Sequence, residues 1–459
     1  MFTIPGIAAL IVFVLTRPQE FIPLLQKVPF LYLFTGLAIV GLVIDLRLRR
    51  LQPIAVPTLP WAAAFFGWAL VTNAVVQPDV LIERTMDLSI IFALYATVAH
   101  GIQRFRAFQV GAAALCLTAV FIGFVAFHQG MSPMECISGE ADDDSGAVGH
   151  SDGRVCDGNE QCKVGGEPGM EFHCEHVGLF GTTSIEERVR YRGAINDPNE
   201  VAMMLSAGGL ALLIGFALRK RNPVWQVILW LLVAMEAVAI WMTQSRGGLI
   251  AGLLVPGVYV IRKWGAKAIV PAVAVALPVL MLGGRTGENA DASTEQRYEA
   301  WATGIQMFHE NPVFGVGARN FGFHHWLTAH NSYVLTLAEM GLPGLFLFIT
   351  LIYLSLKCLL VGLRTLTKVP GTAVAQVWGM ALLAAMAGIV FQISTLSFAY
   401  HQVLWLFFAF IGAWTGAVRH HKPDFIVKMT GRDLAIVLGI TLAYAIVVVP
   451  LFLKIKGIT

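Results

Sequence analysis

Apolar residues occur in long runs that are separated by short polar connections. Most of these runs have about 15 to 25 residues, which is enough for a helix to cross a hydrocarbon layer of ~30 Å. They lie at about 2–16, 28–46, 59–77, 86–103, 107–129, 199–218, 224–244, 247–261, 266–283, 331–363, 373–396, 399–418 and 433–453. We therefore predict an all-α polytopic membrane protein with about 12–13 transmembrane helices.

Composition supports this class. Of 459 residues, 56% are hydrophobic and only 13% are charged, whereas soluble domains average roughly a quarter charged residues. A soluble enzyme, a fibre and a disordered tail are excluded. The net charge is only +3, so no nucleic-acid partner is expected, since that would need a clustered basic face. The run 2–16 has no preceding positive residue and no cleavage site, so we expect it to be retained in the membrane.

Lysine and arginine mark alternate connections between the runs. The clusters lie at 47–50, 104–106, 219–221, 262–267, 364–368 and 419–422. Because positive residues concentrate in cytoplasmic loops, the N-terminus is predicted to be cytoplasmic. Two large loops, at 130–198 and about 284–330, then lie on the outer side of the membrane, opposite the cytoplasm. The chain is predicted to divide into N-terminal transmembrane helices at 1–129, a cysteine-containing outer loop at 130–198, central transmembrane helices at 199–283, a second outer loop with short helices at 284–345, and C-terminal transmembrane helices at 346–459.

The six cysteines fall into two groups. Cys116 and Cys358 lie inside apolar runs and are predicted to be core residues. The other four lie in the first long loop: Cys136, Cys156, Cys162 and Cys174. Their even number and close spacing predict two disulfides in an oxidising compartment, with three possible pairings.

The same loop is acidic, with 13 Asp or Glu against two basic residues between Gly130 and Glu187. Asp142–Asp144 could bind calcium, but the EF-hand ligand spacing is absent. His173, Cys174 and His176 could bind zinc, although the disulfide prediction uses the same cysteine. We expect a solvated, disulfide-stapled loop and no metal.

An arginine-rich segment then leads into a helix. Its arginines alternate along the chain: Arg188, Arg190 and Arg192. Asp197 and Pro198 are typical of the cap and the first position of a helix, and Glu200 completes a pattern like a capping box. The arginines are therefore predicted to lie near a helix N-terminus, where amides and dipole favour an anion.

Arg246 lies between two apolar runs in the sequence Thr-Gln-Ser-Arg-Gly-Gly. A guanidinium near the hydrocarbon edge must pair or reach water. It could be an interface arginine that extends into water, but the lack of acidic neighbours in the sequence favours a ligand-binding role.

The second long loop contains Arg-Tyr-Glu-Ala-Trp from Arg297, then Asn-Pro-Val-Phe-Gly-Val-Gly, then Ala-His-Asn-Ser-Tyr around His330. The glycine pair is not a nucleotide fingerprint, because Asn320 occupies the third glycine position. The run 331–363 would be ~50 Å long as one helix. A break at Gly341, Pro343 and Gly344 is therefore predicted, with a short outer helix that starts at His330.

His330 would be a neutral base near pH 7, because neighbouring arginines disfavour the imidazolium. Two alternatives remain open. One is metal ligation together with His324 and His325, and the other is a structural histidine at an interface.

Four motifs occur in one order: an arginine segment followed by Asp-Pro-Asn, then Ser-Arg-Gly-Gly, then Arg-x-x-x-Trp…Asn-Pro…Gly-x-Gly, then His-Asn-Ser-Tyr…Glu-x-Gly-x-x-Gly. Together they resemble the O-antigen ligase family, which includes O-antigen polymerases and bacterial O-oligosaccharyltransferases. The resemblance covers about 185–350 in its motifs and the whole chain in its architecture. The cysteine-rich loop departs from the family pattern.

The resemblance implies a metal-independent, cofactor-free glycosyltransferase in the bacterial inner membrane, with a periplasmic active site. The donor would be a glycan on undecaprenyl diphosphate. The acceptor would be lipid A-core, a second lipid-linked glycan, or a protein. The implied site comprises His330 as catalytic base, Arg190, Arg192, Arg246 and Arg297 for the donor diphosphate, and Asn199 and Asn331 in support.

The alternative of a different class is a flippase or transporter of lipid-linked glycans. It predicts charges along a path through the membrane centre, but Glu236 and Glu339 are the main ionisable residues inside the runs. The few such residues favour the enzyme.

Overall fold

The computed structural model describes residues 1–20, 22–138, 151–163, 171–192, 195–219, 222–285 and 287–458. Its helices are α1 (Thr3–Thr16), α2 (Phe30–Arg47), α3 (Leu59–Val76), α4 (Leu81–Gly101), α5 (Phe105–Met131), α6 (Asn159–Cys162), α7 (Pro198–Met204), α8 (Ala211–Arg219), α9 (Pro223–Met242), α10 (Arg246–Trp264), α11 (Ile269–Leu282), α12 (Glu288–Glu310), α13 (Ser332–Leu366), α14 (Ala373–Gln392), α15 (Gln402–His421), α16 (Gly431–Ala443) and α17 (Val449–Ile455). The predicted all-α polytopic class is confirmed.

Ten helical segments within the described residues are long and apolar enough to span a membrane. The count is below 12–13 for three reasons. Helices α10 and α11 count together as one apolar segment, Arg246–Leu282, although Gly265 at φ +73° and the 3₁₀ turn Gly265–Ala268 separate them, and α1 has only 14 residues. Helix α4 carries Glu83, Arg84 and Asp87 in its first two turns.

The first of two compact units comprises Met1–Ile7, Thr35–Gln109 and Thr286–Thr459. Its core is aromatic: Trp405 of α15 lies with its ring centroid 4.4 Å from that of Phe66 in α3 and 5.7 Å from that of Tyr95 in α4. The indole of Trp405 also donates to the carbonyl of Ala399 at 2.9 Å. Burial of each such ring contributes about 1.5–3 kcal/mol to stability. These contacts therefore hold α15 against α3 and α4.

Helix α13 is broken at Gly341, whose φ of 61° and ψ of −166° are not helical. The break confirms the prediction that 331–363 is not one straight crossing. It leaves a short segment at 332–340 and a longer one at 342–366. The longer segment is ~38 Å long at 1.5 Å per residue, which is sufficient to span a bilayer.

The second unit comprises Ala8–Phe34 and Val110–Arg285. Within it, α7 continues through a π-helical segment, Leu205–Leu210, into α8. Glu236 of α9 is fully buried against two glycines. A Cβ added to Gly123 would lie 2.6 Å from its carboxylate, and one added to Gly209 would lie 2.8 Å from it. The glycines therefore make room for this carboxylate.

A small antiparallel sheet also belongs to the second unit. Its strands β1 (Met134–Ser138), β2 (Ser151–Val155) and β3 (Phe172–His176) are arranged in the order β2-β1-β3. Disulfides join Cys136 to Cys162 and Cys156 to Cys174, with Cα–Cα distances of 5.4 and 6.0 Å. The prediction of two disulfides is confirmed, and one of the three pairings is selected.

The disulfide sulfurs and Phe172 form the buried centre of this sheet. Such a small structure has too little apolar area to be stable alone, and cross-links compensate. Because Cys174 is oxidised, it has no thiolate to offer to zinc. The candidate calcium segment, Asp142–Asp144, lies outside the described residues.

Candidate active site

The Asp-Pro-Asn motif begins α7 in the predicted way. Asp197 caps the helix: its Oδ1 accepts from the backbone N–H of Asn199 at 2.6 Å and from the Asn199 side-chain amide at 2.7 Å. Pro198 occupies the first turn, where its missing N–H is not needed. The side chain of Asn199 is therefore held in one orientation and is 7% exposed.

Asn199 connects the first motif to the second. The hydroxyl of Ser245, the N-cap of α10, donates to Asn199 Oδ1 at 2.6 Å and accepts from the Gly248 N–H at 3.0 Å. A Cβ on Gly248 would overlap the Cβ of Ala202 in α7. The Ser-Arg-Gly-Gly turn thus combines a cap with a residue small enough for two helices to approach closely.

Arg246 follows this cap as the first residue of α10, and its side chain is exposed. Its guanidinium makes no hydrogen bond or ion pair with any residue that the structure describes. Gly284, at φ +91°, packs against the Arg246 side chain, because an added Cβ would lie 2.6 Å from Arg246 Cγ. The aliphatic part of Arg246 is therefore supported while its charged end is available.

Two other arginines approach the same turn. Arg188 Nε donates to the carbonyl of Thr243 at 3.3 Å. The backbone N–H of Arg285 donates to the carbonyl of Gln244 at 3.0 Å, and its guanidinium lies 3.5 Å from a Glu186 oxygen. Sequence reasoning did not assign Arg285. Its only signal was a basic residue directly after an apolar run at the predicted outer face.

Arg190 and Arg192 have partners within the second unit. Arg190 Nε donates to the carbonyl of Thr183 at 3.0 Å, and its backbone N–H donates to Gln129 Oε1 at 2.9 Å. Arg192 donates to the carbonyl of Gly181. Burial lowers the pKa of Arg192 and the charge of Glu20 raises it, but a guanidinium stays protonated near neutral pH. Both arginines thus fix the 181–183 turn.

In the first unit, His330 directly precedes the cap of α13. The Oδ1 atom of Asn331 accepts from the N–H groups of Tyr333 and Val334 at 3.0 and 3.2 Å. The helix therefore begins at Ser332, two residues after the predicted start, and the hydroxyl of Tyr444 donates to the same Asn331 oxygen at 3.1 Å. His330 has φ +41°, an uncommon value that needs support from its neighbours.

Helix α12 supports the same loop. The indole N–H of Trp301 donates to the carbonyl of Ala329, adjacent to His330, at 2.7 Å. Arg297 lies four residues earlier, and residues at this spacing are neighbours on one helix face. The first unit therefore brings Arg297 to the vicinity of the His330 segment.

The backbone of the Asn-Pro…Gly-x-Gly motif packs against α13 around its break at Gly341. Val316 N–H donates to the carbonyl of Ala338 at 3.0 Å, and Leu342 N–H donates to that of Pro312 at 2.9 Å. Gly315 has φ +63°, and a Cβ there would overlap the carbonyl of Ala338. Position 315 therefore requires glycine, because any Cβ would collide with the backbone of α13.

Glu339, only 2% exposed, organises the next turn. Its carboxylate accepts from the N–H groups of Arg319 and Phe321 at 2.9 and 3.0 Å. Arg319 also pairs with Asp87 at 2.6 Å. Sequence reasoning noted Glu339 as an ionisable residue but did not identify this positioning role, which depends on contacts 18 and 20 residues away.

Comparison with known proteins gives one family. Residues 228–349 match a family model described as O-antigen ligase, and a search of curated proteins finds no match to the chain. The matched segment contains Arg246, Arg297 and His330 and excludes Arg190 and Arg192. A domain of this kind indicates a membrane glycosyltransferase of the ligase or polymerase type. The resemblance predicted from the motifs is confirmed over residues 228–349, which are similar to the O-antigen ligase family.

Proposed function

We propose that this protein transfers a glycan from undecaprenyl diphosphate to an acceptor hydroxyl at the periplasmic face of the bacterial inner membrane. The observation that carries the proposal is the O-antigen ligase match over 228–349, in a chain whose described residues include ten helical segments long and apolar enough to span a membrane. Such a donor needs no further activation, because its diphosphate is already a good leaving group.

The donor diphosphate is assigned to Arg246, together with Arg190 and Arg192. Breaking the bond between the sugar and the diphosphate develops negative charge on the departing oxygen. Guanidinium groups match phosphate oxygens bidentately and stabilise this charge most when they are held in place beforehand. The capped turn around Ser245 and the packing of Gly284 hold Arg246 in this way. Arg285 is added as a further candidate because of its contact with the same turn.

The general base is assigned to His330. A neutral imidazole accepts the proton of the acceptor hydroxyl as its oxygen attacks the anomeric carbon. The bond from that carbon to the diphosphate breaks in the same step, and undecaprenyl diphosphate leaves. Attack from the opposite face inverts the anomeric configuration. Arg297, four residues before Trp301 on α12, is a further candidate for the donor diphosphate. Asn331 positions the histidine through the cap of α13.

Transfer by the purified protein tests the reaction. Full-length protein is mixed with glycan-loaded undecaprenyl diphosphate and an acceptor in the presence of a chelator. Formation of the glycosylated acceptor and release of undecaprenyl diphosphate are expected. Hydrolysis or translocation of the donor without acceptor glycosylation would refute the proposal and favour a transporter.

The acceptor is identified from a strain that lacks the protein. Loss of glycan-capped lipid A-core indicates a ligase, products with a single repeat unit indicate a polymerase, and unglycosylated proteins indicate a protein O-oligosaccharyltransferase. Re-expression of the wild-type chain is the control, and it should restore the affected product.

A further inference from the structure

A cavity of about 500 Å³ lies in the first unit, and none of the residues assigned to glycan transfer lines it. Four arginines line it: Arg49, Arg50, Arg104 and Arg419. They come from the segments after α2, between α4 and α5, and at the end of α15. No Asp or Glu of the described chain lines this cavity. Its lining is therefore strongly cationic.

The arginines are not consumed by internal ion pairs. The guanidinium groups of Arg49 and Arg104 make no hydrogen bond or ion pair with the described part of the chain. Arg419 uses only Nε, which donates to the carbonyl of Phe425 at 3.0 Å, and Arg50 lies 5.1 Å above the ring of Phe2. Each guanidinium has five N–H donors, so most donors remain available to an anion.

Hydrogen bonds between backbone and side-chain atoms connect the segments that form the wall of the cavity. The N–H of Gln52 donates to Gln103 Oε1 at 2.9 Å, and Gln103 Nε2 donates to the Gln52 carbonyl at 2.7 Å. Val56 N–H also contacts His100 Nε2 at 3.4 Å. These bonds join two connections that are 51 residues apart in sequence, so the cavity has a defined shape.

Apolar residues complete the lining. Ile54, Val56 and Pro57 come from one side, and Ile426, which is 57% exposed, lies at another. The combination of guanidinium groups and apolar surface suits an amphiphile with an anionic head. The volume of the cavity is within the range of about 300–1,000 Å³ found for small-molecule sites.

We infer that this cavity binds a phosphate ester through Arg49, Arg104 and Arg419. Basic pockets between transmembrane helices commonly bind anionic lipid headgroups, and the apolar lining favours a phospholipid over free phosphate. The preference of cytoplasmic loops for positive charge does not account for the cavity. Arg106, in the first turn of α5 and two residues after Arg104, would satisfy that preference equally, yet it does not line the cavity.

Lipid retention by the purified full-length protein tests the inference. The protein is titrated with dioleoyl phosphatidylglycerol or zwitterionic dioleoyl phosphatidylcholine, and bound lipid is counted by native mass spectrometry. Inorganic phosphate is then tested for its ability to displace phosphatidylglycerol. The variants are Arg104→Gln, Arg104→Gln with Arg419→Gln, and Arg49→Gln. Arg106→Gln is the control because it removes the same charge two residues away.

Wild type and Arg106→Gln should retain phosphatidylglycerol equally and in preference to phosphatidylcholine. Arg104→Gln and Arg49→Gln should each weaken retention about tenfold, and the double variant more, because charge-assisted hydrogen bonds are lost. Displacement by inorganic phosphate supports recognition of the phosphate group alone, and resistance supports a lipid headgroup with its chains. Equal retention by all variants, or no preference for the anionic lipid, would overturn the inference.

Discussion

Ser245→Ala should weaken donor binding through the position of Arg246. The substitution removes the N-cap of α10 and the hydrogen bond to Asn199. Loss of an N-cap contributes about 1 kcal/mol and loss of one buried hydrogen bond about the same. The folded conformation of the turn that carries Arg246 then loses about 2 kcal/mol of stabilisation. Part of the binding free energy of the donor must be used to order this turn. At 1.4 kcal/mol per tenfold, the dissociation constant should rise roughly 30-fold.

The assay is the dissociation constant of the purified protein for an undecaprenyl-diphosphate-linked glycan, with the transfer rate measured at saturating donor. Ser206→Ala is the matched control. Ser206 is also fully buried in the second unit, but its hydroxyl donates only to the carbonyl of Ala202, one turn earlier. A bond of this kind adds little to helix stability, so Ser206→Ala should bind donor within about twofold of wild type.

Equal donor affinity in Ser245→Ala and Ser206→Ala would show that the cap does not position the binding arginine. A loss of transfer rate at saturating donor, with donor affinity intact, would contradict the prediction of weaker donor binding. It would show that the turn acts only on the charge of the departing diphosphate.

Three further outcomes are expected. Arg246→Lys should raise the donor dissociation constant about tenfold in the same titration, because an ammonium cannot reproduce the planar fork; unchanged affinity would make Arg246 an interface residue. Reduction should slow the protein on a denaturing gel and raise the number of thiols that maleimide labels in the denatured chain from two, Cys116 and Cys358, to six, since Cys136 pairs with Cys162 and Cys156 with Cys174; labelling of more than two thiols without reduction would contradict these disulfides. Gly341→Ala should lower the thermal midpoint of the detergent-solubilised protein, because φ is +61° and a Cβ would overlap the carbonyl of Pro312; Gly439→Ala, which meets nothing within 4 Å, is the control, and equal midpoints would refute the strain.

Features that depend on local sequence were predictable. Apolar runs gave the membrane helices because a hydrocarbon layer requires about 20 apolar residues in succession. The break in α13 was predictable from Gly341 and Pro343, since glycine adopts positive φ and proline lacks an N–H. The cap at Asp197 followed from residue types at fixed helical positions.

Features that depend on distant contacts were not predictable. The bond from Ser245 to Asn199 joins residues 46 positions apart, and neither residue signals the other in sequence. The strands of the disulfide-linked sheet are five residues each and lie in a polar loop, where composition gives little indication of pairing. The start of α13 was placed at His330 because the cap of Asn331 was not recognised.

The transfer rate of His330→Ala tests the proposed chemistry most directly. Purified protein is supplied with saturating lipid-linked donor and acceptor, and donor affinity is measured in parallel. His324→Ala, which removes an exposed imidazole from the same loop, is the control. Loss of a general base should slow transfer about 10²- to 10⁴-fold while the donor dissociation constant and the His324→Ala rate stay near wild type. Transfer by His330→Ala at the wild-type rate would contradict the assignment of this histidine as the base.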